Sequence, residues 1–466
     1  MADKEIRQEN KMGTMPIGKL LISMSWPAII SMTIQALYNI VDSIFVAQTG
    51  ENGLAAVSLI FPVQFLMMSV GIGTSVGVNS LIARRLGARR FEDANKAASH
   101  GLILAIINWI VFAVLGALFA GVFMELFSKN PEIVGAGTSY MRIVTIFSLF
   151  VMMTVTVEKV IQATGNMLLP MFASITGAVV NIALDPILIF GLFGMPEMGV
   201  TGAAIATVIG QAASAAINLL ILFKKDHEVE VSLKGFKFNK VILKDIYAVG
   251  FPAIIMQAIG SVMQFGMNLI LASFTTTAVA VMGVYGRLQS FVFMPTIGIN
   301  QGSTPVFGYN YGARNKGRLM KAYKVALIMA FCVMGAGLIV FQLFPHMLLA
   351  MFNATDDMYD IGMQALRTVS WCFLPAAFGI VTGGVFAATG HGFISLVSSL
   401  LRQLVGILPL AVILGQMGGV MMVWWSFPLA EILGTTYIAV MMRRLYKNEF
   451  MHLDNPISER GTGNGS

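Results

Sequence analysis

Charged residues are scarce in this chain of 466 residues, which has 11% Asp, Glu, Lys and Arg against 56% hydrophobic residues. A soluble globular domain carries about 25% charged residues. The low charge excludes an ordinary soluble protein and predicts an integral membrane protein. Cysteine is scarcer still, because Cys332 and Cys372 are the only two. Both fall in apolar runs without a partner motif, so each is predicted to be a buried thiol.

Histidine is also sparse, and the five histidines are scattered without the spacing of a metal-ligand motif. We therefore expect neither a transition-metal site nor a cofactor. Positive charge is in excess, with a formal net charge of +7. The basic residues flank apolar runs, however, where positive charge sets the orientation of membrane helices. The expected partner is the lipid bilayer, and no nucleic-acid partner is expected.

Twelve long apolar runs follow a polar segment at the start of the chain. Each is near or above the roughly 20 residues that a helix needs to cross the hydrocarbon core of a bilayer. The predicted fold is therefore an all-α integral membrane protein with twelve transmembrane helices. The predicted spans are 18–48, 54–84, 95–122, 135–160, 168–193, 200–223, 244–274, 279–310, 318–345, 358–386, 393–415 and 419–445.

Basic residues concentrate in alternate loops, after the second, sixth, eighth and twelfth runs. The loops on the other side, such as "TGENG" and "FTTTA", have almost none. Cytoplasmic loops carry an excess of Lys and Arg. The pattern predicts a multi-pass protein of the cell membrane with both termini in the cytoplasm.

The two halves of the chain repeat each other at an offset of 225 positions. This shift aligns "WPAII" with "FPAII", and it aligns two copies of "GAR" and two copies of "ATG" without a gap. Each half has six runs, an even number, so both enter the membrane in the same direction. We predict two six-helix lobes related by a parallel pseudo-twofold repeat. The predicted segments are an N-terminal tail 1–17, a first lobe 18–223, a linker 224–243, a second lobe 244–445 and a C-terminal tail 446–466.

The fifth run, "ASITGAVVNIALDPILIFGLFGM", contains an acid within a long apolar stretch. Asp185 lies four residues after Asn181, so both share one face of a helix. An aspartate at the centre of a membrane costs about 2.5–3.5 kcal/mol on insertion scales, which makes it a functional-site hypothesis by default. Asp185 and Asn181 are therefore the first candidate site residues.

A second intramembrane acid, Asp42, lies on the first run. It continues a polar stripe at helical spacing that includes Gln35, Tyr38 and Asn39. Hard oxygen ligands from the two acids and Asn181, with a threonine hydroxyl from the sixth run, suit Na⁺ or a proton and fit transition metals poorly. The residues leave the choice of ion open.

The repeat acts as an internal comparison for these acids. At the offset of 225, Asp42 corresponds to Met267, Glu158 corresponds to a glycine, and Asp185 corresponds roughly to Leu410. The first lobe is therefore predicted to handle the cation. Glu158 has an open alternative, because it precedes a lysine with which it could form a local ion pair.

The second half keeps the acid Glu431 and the base Arg287. Glu431 is interpreted either as a functional residue or as an ion-pair partner of Arg287, and the sequence favours neither.

The motifs resemble those of multidrug and toxic compound extrusion (MATE) transporters. The resemblance is carried by "WPAII", "VDSIFVAQ", "IQATGN" and "NIALDPILIFG" followed by "GVTGAAIAT", and it covers about residues 15–445. An acid on the first span with "N…LDP" on the fifth is similar to the branch of the DNA-damage-inducible F protein.

The resemblance implies a V-shaped pair of lobes that alternates access and exports lipophilic, often cationic, organic compounds against entry of H⁺ or Na⁺. It implies a monomeric transporter, not an enzyme, with small-molecule drugs as partners and a coupling ion in place of a cofactor. The implied coupling site is Asp42, Asn181 and Asp185 with Thr201 or Thr207. The expected lining of the substrate cavity is Gln35, Tyr38, Asn39, Tyr140, Glu158 and Arg287.

Two alternatives stay open at this point. A lipid-linked flippase of related fold would more often carry a basic central cavity, whereas Arg287 stands nearly alone. An integral-membrane enzyme would need a clustered nucleophile, base or metal site near one interface, and the sequence shows no motif for one.

Overall fold

The computed structural model describes residues 10–224, 228–232, 234, 236–352 and 354–453. Within these ranges all regular secondary structure is helical, as the composition predicts. The helices of the first half are α1 (Lys11–Thr14), α2 (Ile17–Ala47), α3 (Glu51–Gly87), α4 (Phe91–Phe127), α5 (Pro131–Ile146), α6 (Leu149–Ala163), α7 (Leu168–Phe190) and α8 (Gly199–Lys224).

The second half follows the same order of long and broken helices. They are α9 (Lys240–Ala272), α10 (Thr276–Gly312), α11 (Lys316–Leu343), α12 (Pro345–Ala350), α13 (Asp356–Ser370), α14 (Phe373–Thr389), α15 (Gly392–Leu400), α16 (Leu408–Gly418), α17 (Val420–Val423) and α18 (Ser426–Asn448). Short 3₁₀ turns follow α7 and α18.

In the described part of the chain, nine helical segments are long and apolar enough to cross a membrane, and two bent helix pairs raise the number to eleven. The last predicted span, 419–445, falls on α17 and α18. α18 has 23 residues, but Glu431 and three basic residues near its end lower its hydropathy. It therefore needs neighbouring helices, and not lipid alone, to cover its polar groups.

Two spans that we predicted as continuous, 135–160 and 358–386, are each broken near the middle. α5 and α6 meet at an angle of 42°, and α13 and α14 meet at 46°. The two breaks occupy equivalent places in the two halves. The span 393–415 also deviates, because Leu401–Ile407 is π-helical between α15 and α16. Pro409 follows this segment and cannot donate a helical N–H, which is a usual cause of such irregularity.

The cysteine prediction is correct for one residue only. Cys372 is buried, whereas Cys332 is exposed on the surface of α11. Helical runs in a membrane are apolar on their lipid-facing side as well as inside, so hydropathy alone could not show which way Cys332 faces.

The two lobes pack closely at the end that carries the basic loops. Gly77 of α3 lies against α9, where an added Cβ would stand 2.1 Å from the carbonyl oxygen of Ile246. At the equivalent crossing, a Cβ on Gly302 of α10 would stand 2.8 Å from the carbonyl oxygen of Met24 on α2. Only glycine allows backbones to approach this closely. The lobes are therefore closed together at this end.

At the opposite end the lobes separate. The first half of α2 buries several residues, but of residues 34–47 only Val46 is fully buried. Asp42 lies in this open half of α2. The fold therefore has a closed end with the basic loops and an open end near the candidate acids.

Candidate cation site in the first lobe

Two adjacent helices, α7 and α8, position the centre of the site. Asp185 is fully buried, with 0% of its surface exposed, and Asn181 is buried one turn before it on the same face. The Asn181 Nδ2 atom donates a hydrogen bond to Oγ1 of Thr207 on α8 at 3.4 Å. Small residues let these helices approach, because Gly177 of α7 and Gly210 of α8 lie backbone to backbone. The spacing that predicts a shared face for Asn181 and Asp185 is confirmed.

α2 and α5 close the site from the other side. The side chain of Tyr38 interacts with Thr207 and lies within electrostatic range of Asp42. Tyr140 of α5 is buried and close enough to interact with Asp42 as well. Its hydroxyl oxygen accepts a hydrogen bond from Nε2 of Gln64 at 3.3 Å. The site therefore joins residues from five helices of one lobe.

Four oxygen atoms in this cluster are buried without a hydrogen-bond donor among the described residues. They are Oδ1 of Asp42, Oδ1 of Asn181 and both carboxylate oxygens of Asp185. A buried polar atom without a partner costs several kcal/mol in an apolar medium, and a buried unpaired charge costs more. Acceptor atoms collected in this way favour a bound proton or a small cation.

The donor set of the site is limited to oxygen. The described ranges contain no group of three or more His, Cys, Asp or Glu residues that could hold a metal ion. Two carboxylates, one amide and nearby hydroxyls remain, which are ligands suited to Na⁺ or, when a carboxylate is protonated, to H⁺.

A cleft connects Asp42 to the open end of the molecule. It has a volume of about 350 Å³ and lies between α2 and α3, where Ser43, Ser58 and Phe61 line it beside Asp42. Asp42 therefore lines the cleft and also interacts electrostatically with the buried Asp185.

The two candidate threonines occupy different places on α8. Thr207 is buried and bonded to Asn181, whereas Thr201 lies in the first turn of the helix and is half-buried. Thr207 follows Thr201 by six residues, or nearly two helical turns, so the two hydroxyls lie at different depths. Gln35 and Asn39 of the polar stripe on α2 are exposed, while Tyr38 contacts the cluster.

Glu158 lies in a different part of the first lobe. Its carboxylate accepts a hydrogen bond from Ser174 on α7. Ser174 precedes Asp185 by eleven residues, or about 16 Å along a helix. The neighbouring Lys159 donates to Gln162 at 2.8 Å and to Gln301 of the second lobe at 3.3 Å, and it also interacts electrostatically with Glu158. Glu158 thus stands apart from the acid pair.

Glu431 pairs with a base other than the expected one. Its carboxylate accepts from Nη1 of Arg402 at 3.3 Å, and Arg402 belongs to the π-helical segment before α16. Arg287 is exposed on α10. The interpretation of a Glu431–Arg287 pair is therefore wrong, because the π-helical turn directs a different arginine towards α18.

This pairing makes a testable prediction about stability. The Glu431 side chain is only 9% exposed, so Arg402→Met leaves a buried, unpaired carboxylate. We expect the free energy of unfolding to fall by about 3 kcal/mol, and the double variant Arg402→Met/Glu431→Met to recover most of it. Thermal unfolding in detergent measures both effects, with Arg287→Met as the control. A larger loss in the control would contradict the pairing.

Gln64 is a site residue that the sequence reasoning missed. It is an amide within the apolar stretch "LIFPVQFLMM" of α3, and an isolated polar residue in such a run is the signal that could have found it.

Comparison with known proteins identifies the family and the fold of the chain. The MatE family model matches residues 27–187 and again residues 252–413. The two matches begin 225 positions apart, which confirms the internal repeat.

Relatives and solved structures cover nearly the whole chain. It is 26% identical over 419 residues to the multidrug export protein MepA of Staphylococcus aureus, covering 90% of this chain and 92% of that protein. The MepA of Staphylococcus haemolyticus is 25% identical over 416 residues, with 89% and 91% covered.

Among solved structures, a MOP superfamily transporter from Pyrococcus furiosus superposes with a TM-score of 0.87 at 28% identity, covering 96% of this chain and 98% of that one. An outward-facing multidrug resistance MATE family transporter superposes with a TM-score of 0.87 at 29% identity, covering 94% and 99%. The predicted layout of twelve helices in two lobes is confirmed by these likenesses.

Proposed function

The chain belongs to the MATE family of transporters, and on that premise we propose that it is a cation-coupled antiporter for lipophilic, often cationic, organic compounds. Entry of H⁺ or Na⁺ through the first lobe drives export. The relatives are named as multidrug export proteins of bacteria, which supports small-molecule drugs as substrates and the plasma membrane as the location.

The observation that carries the coupling role is the set of buried acceptor oxygens on Asp42, Asn181 and Asp185 that lack a donor among the described residues. In this proposal the coupling ion supplies the missing positive charge. Asp42 receives it from the cleft, and Asp185 holds it at the buried end. Asn181 orients Asp185 and is itself held by Thr207, and Tyr38 and Tyr140 close the space around the ion.

The shape of the molecule supports alternating access. The lobes touch at the end with the basic loops and diverge at the other, so the cleft at Asp42 opens away from the basic loops. With the basic loops and both termini in the cytoplasm, this is an outward-open state. In this proposal the cation binds more tightly to the state that releases the exported compound than to the opposite state. Only such a difference in affinity lets the cation shift the equilibrium between the two states.

The substrate cavity is proposed between the lobes, with Gln35 and Asn39 of α2, which are both exposed, as part of its lining. The flippase alternative gains no support from Arg287, which is a single exposed base on α10. We propose a monomer, because the repeat completes both lobes within one chain. The relatives are named as export proteins, which supports a transporter without enzymatic activity, and in this proposal a coupling ion takes the place of a cofactor.

Transport by purified protein in proteoliposomes tests the function. A fluorescent lipophilic cation serves as the substrate, and pH and Na⁺ gradients are imposed separately. We expect substrate movement against its own gradient under one of the two ion gradients, and its loss when an ionophore collapses that gradient. Movement that is indifferent to both gradients would refute coupling, and empty liposomes provide the control.

A further inference from the structure

A second group of polar side chains lies in the first lobe, between α6, α7 and α8. The carboxylate of Glu158 on α6 accepts a hydrogen bond from Ser174 of α7, and it also interacts with Asn218 of α8. Ser214 precedes Asn218 by four residues, so both share one face of α8. We call these four residues the inner cluster.

The helices α7 and α8 connect the inner cluster to the candidate cation site. Ser174 precedes Asp185 by eleven residues on α7, and Asn218 follows Thr207 by eleven residues on α8. Eleven residues are about three helical turns, or roughly 16 Å, so the two members of each pair lie on one face of their helix. Because α8 ends at the basic linker, the inner cluster lies towards the closed end of the molecule. The same faces of α7 and α8 therefore carry polar groups at two depths.

Glycine backbones separate these two depths. An added Cβ on Gly177 of α7 would stand 2.9 Å from the carbonyl oxygen of Gly210 on α8, and one on Gly210 would stand 2.7 Å from the carbonyl oxygen of Gly177. Backbones in contact leave no open path at this point. An ion that moves between α7 and α8 therefore has two separate binding positions, one on each side of the glycines.

The inner cluster contains buried polar atoms without partners, as the candidate cation site does. Asn218 is 0% exposed, and neither its Nδ2 nor its Oδ1 atom makes a hydrogen bond of normal geometry within the described part of the chain. The Oγ atom of Ser214 is also buried without a partner there. Such burial is unfavourable unless a ligand or water completes the hydrogen bonds. With Glu158, these atoms form a set of hard oxygen ligands that suits Na⁺ or, at the carboxylate, a proton.

Lys159, the next residue along α6, provides a positive charge that can compete for Glu158. It interacts electrostatically with Glu158. Its Nζ atom donates to Gln162 at 2.8 Å and, across the interface between the lobes, to Gln301 of α10 at 3.3 Å. Separation of the lobes at the closed end removes the acceptor on Gln301. The ammonium group is then free to pair with Glu158.

The repeat indicates that the fold does not require this charged pair. At the offset of 225, Gly383 and Gly384 occupy the places of Glu158 and Lys159. An added Cβ on Gly384 would collide with Oδ1 of Asn300 on α10. The second lobe therefore packs closely where the first lobe carries a charge, and the charged pair occurs only in the lobe that contains Asp42 and Asp185.

We propose that the inner cluster is a second binding site for the coupling ion, where Glu158 holds the ion until Lys159 displaces it into the cytoplasm. The inference rests on the proposed function, because the ion first enters at Asp42 and Asp185. While the lobes are together at the closed end, Gln301 holds Lys159 and the ion occupies Glu158. When they separate, Lys159 pairs with Glu158, so one positive charge replaces another, and the Na⁺ or proton passes to water. Release of the ion is thereby tied to opening on the cytoplasmic side.

Initial transport rates of the full-length protein in proteoliposomes test the proposal. They are measured against external ion concentration, with Na⁺ varied at constant pH in one arm and pH varied without Na⁺ in the other. We expect Glu158→Gln and Lys159→Gln each to lower the maximal rate about tenfold. The half-saturating ion concentration should stay unchanged, because the acids at the entry site are intact. The double variant should be no slower than Glu158→Gln, since both residues act in one step.

Glu125→Gln is the matched control, because Glu125 is an exposed acid on α4 of the same lobe. Thermal unfolding of all variants separates this role from that of a structural ion pair, which would lower the melting temperature in each single variant and restore it in the double variant. That result overturns the proposal, and so does a raised half-saturating concentration at an unchanged maximal rate.

The wild type in the same assay distinguishes this inference from the proposed function. Wild-type transport that neither ion gradient drives refutes the proposed function and the inner site with it. Coupled transport by the wild type, with an equal maximal rate in Glu158→Gln, refutes the inner site alone.

Discussion

Replacing Asp185 with asparagine is expected to lower cation-coupled export by about a hundredfold while leaving the protein at least as stable as the wild type. The carboxylate is fully buried, and neither of its oxygens has a donor among the described residues. An amide of the same shape keeps the packing and removes an acid that is costly to bury in its charged form. Loss of transport without loss of stability would therefore separate a functional acid from a structural one.

Asp42→Asn provides the second member of this test, since Asp42 lies in the cleft that leads to Asp185. Both variants are assayed for gradient-driven export in proteoliposomes and for thermal unfolding in detergent. Asp356→Asn, which changes an exposed acid at the start of α13, is the control. Export like that of the wild type by both site variants would refute the assignment.

The acids could be found from sequence because their signal is local. Asn181 and Asp185 share a face wherever α7 lies, since four residues make about one helical turn. The cost of an acid in an apolar run is equally independent of the neighbouring helices. The two-lobe plan was also predictable, because an offset of 225 recurs in motifs that are far apart.

Partners on other helices could not be predicted in this way. The choice of Arg402 over Arg287 for Glu431 depends on a π-helical turn, and the contact of Gln64 with Tyr140 depends on how α3 and α5 are rotated. Hydropathy reports depth along a helix but not rotation about its axis. The bends within 135–160 and 358–386 were not predicted either, because each pair of helices taken together is apolar enough to be interpreted as one continuous span.

The glycines of the closed end connect this architecture to the transport cycle. Gly87 of α3 and Gly312 of α10 are equivalent in the repeat, and each lies against the backbone of the other helix. A Cβ on Gly312 would stand 2.0 Å from the carbonyl oxygen of Arg84, a backbone atom that cannot move aside as a side chain does. Gly312→Ala is therefore expected to separate the lobes at this end and to lower export about tenfold.

Gly286→Ala on the same helix is the matched control, because no atom lies within 4 Å of the added Cβ there. Alanine is favoured over glycine in a helix, so this variant is expected to keep or slightly raise stability. Spin labels at Glu92 and Lys321, which are exposed residues of the two lobes, measure the separation after Cys332 and Cys372 are replaced with serine. The distance should lengthen in Gly312→Ala and remain unchanged in the control. Equal distances and equal export in all three proteins would show that close contact at this crossing is not required for the closed state.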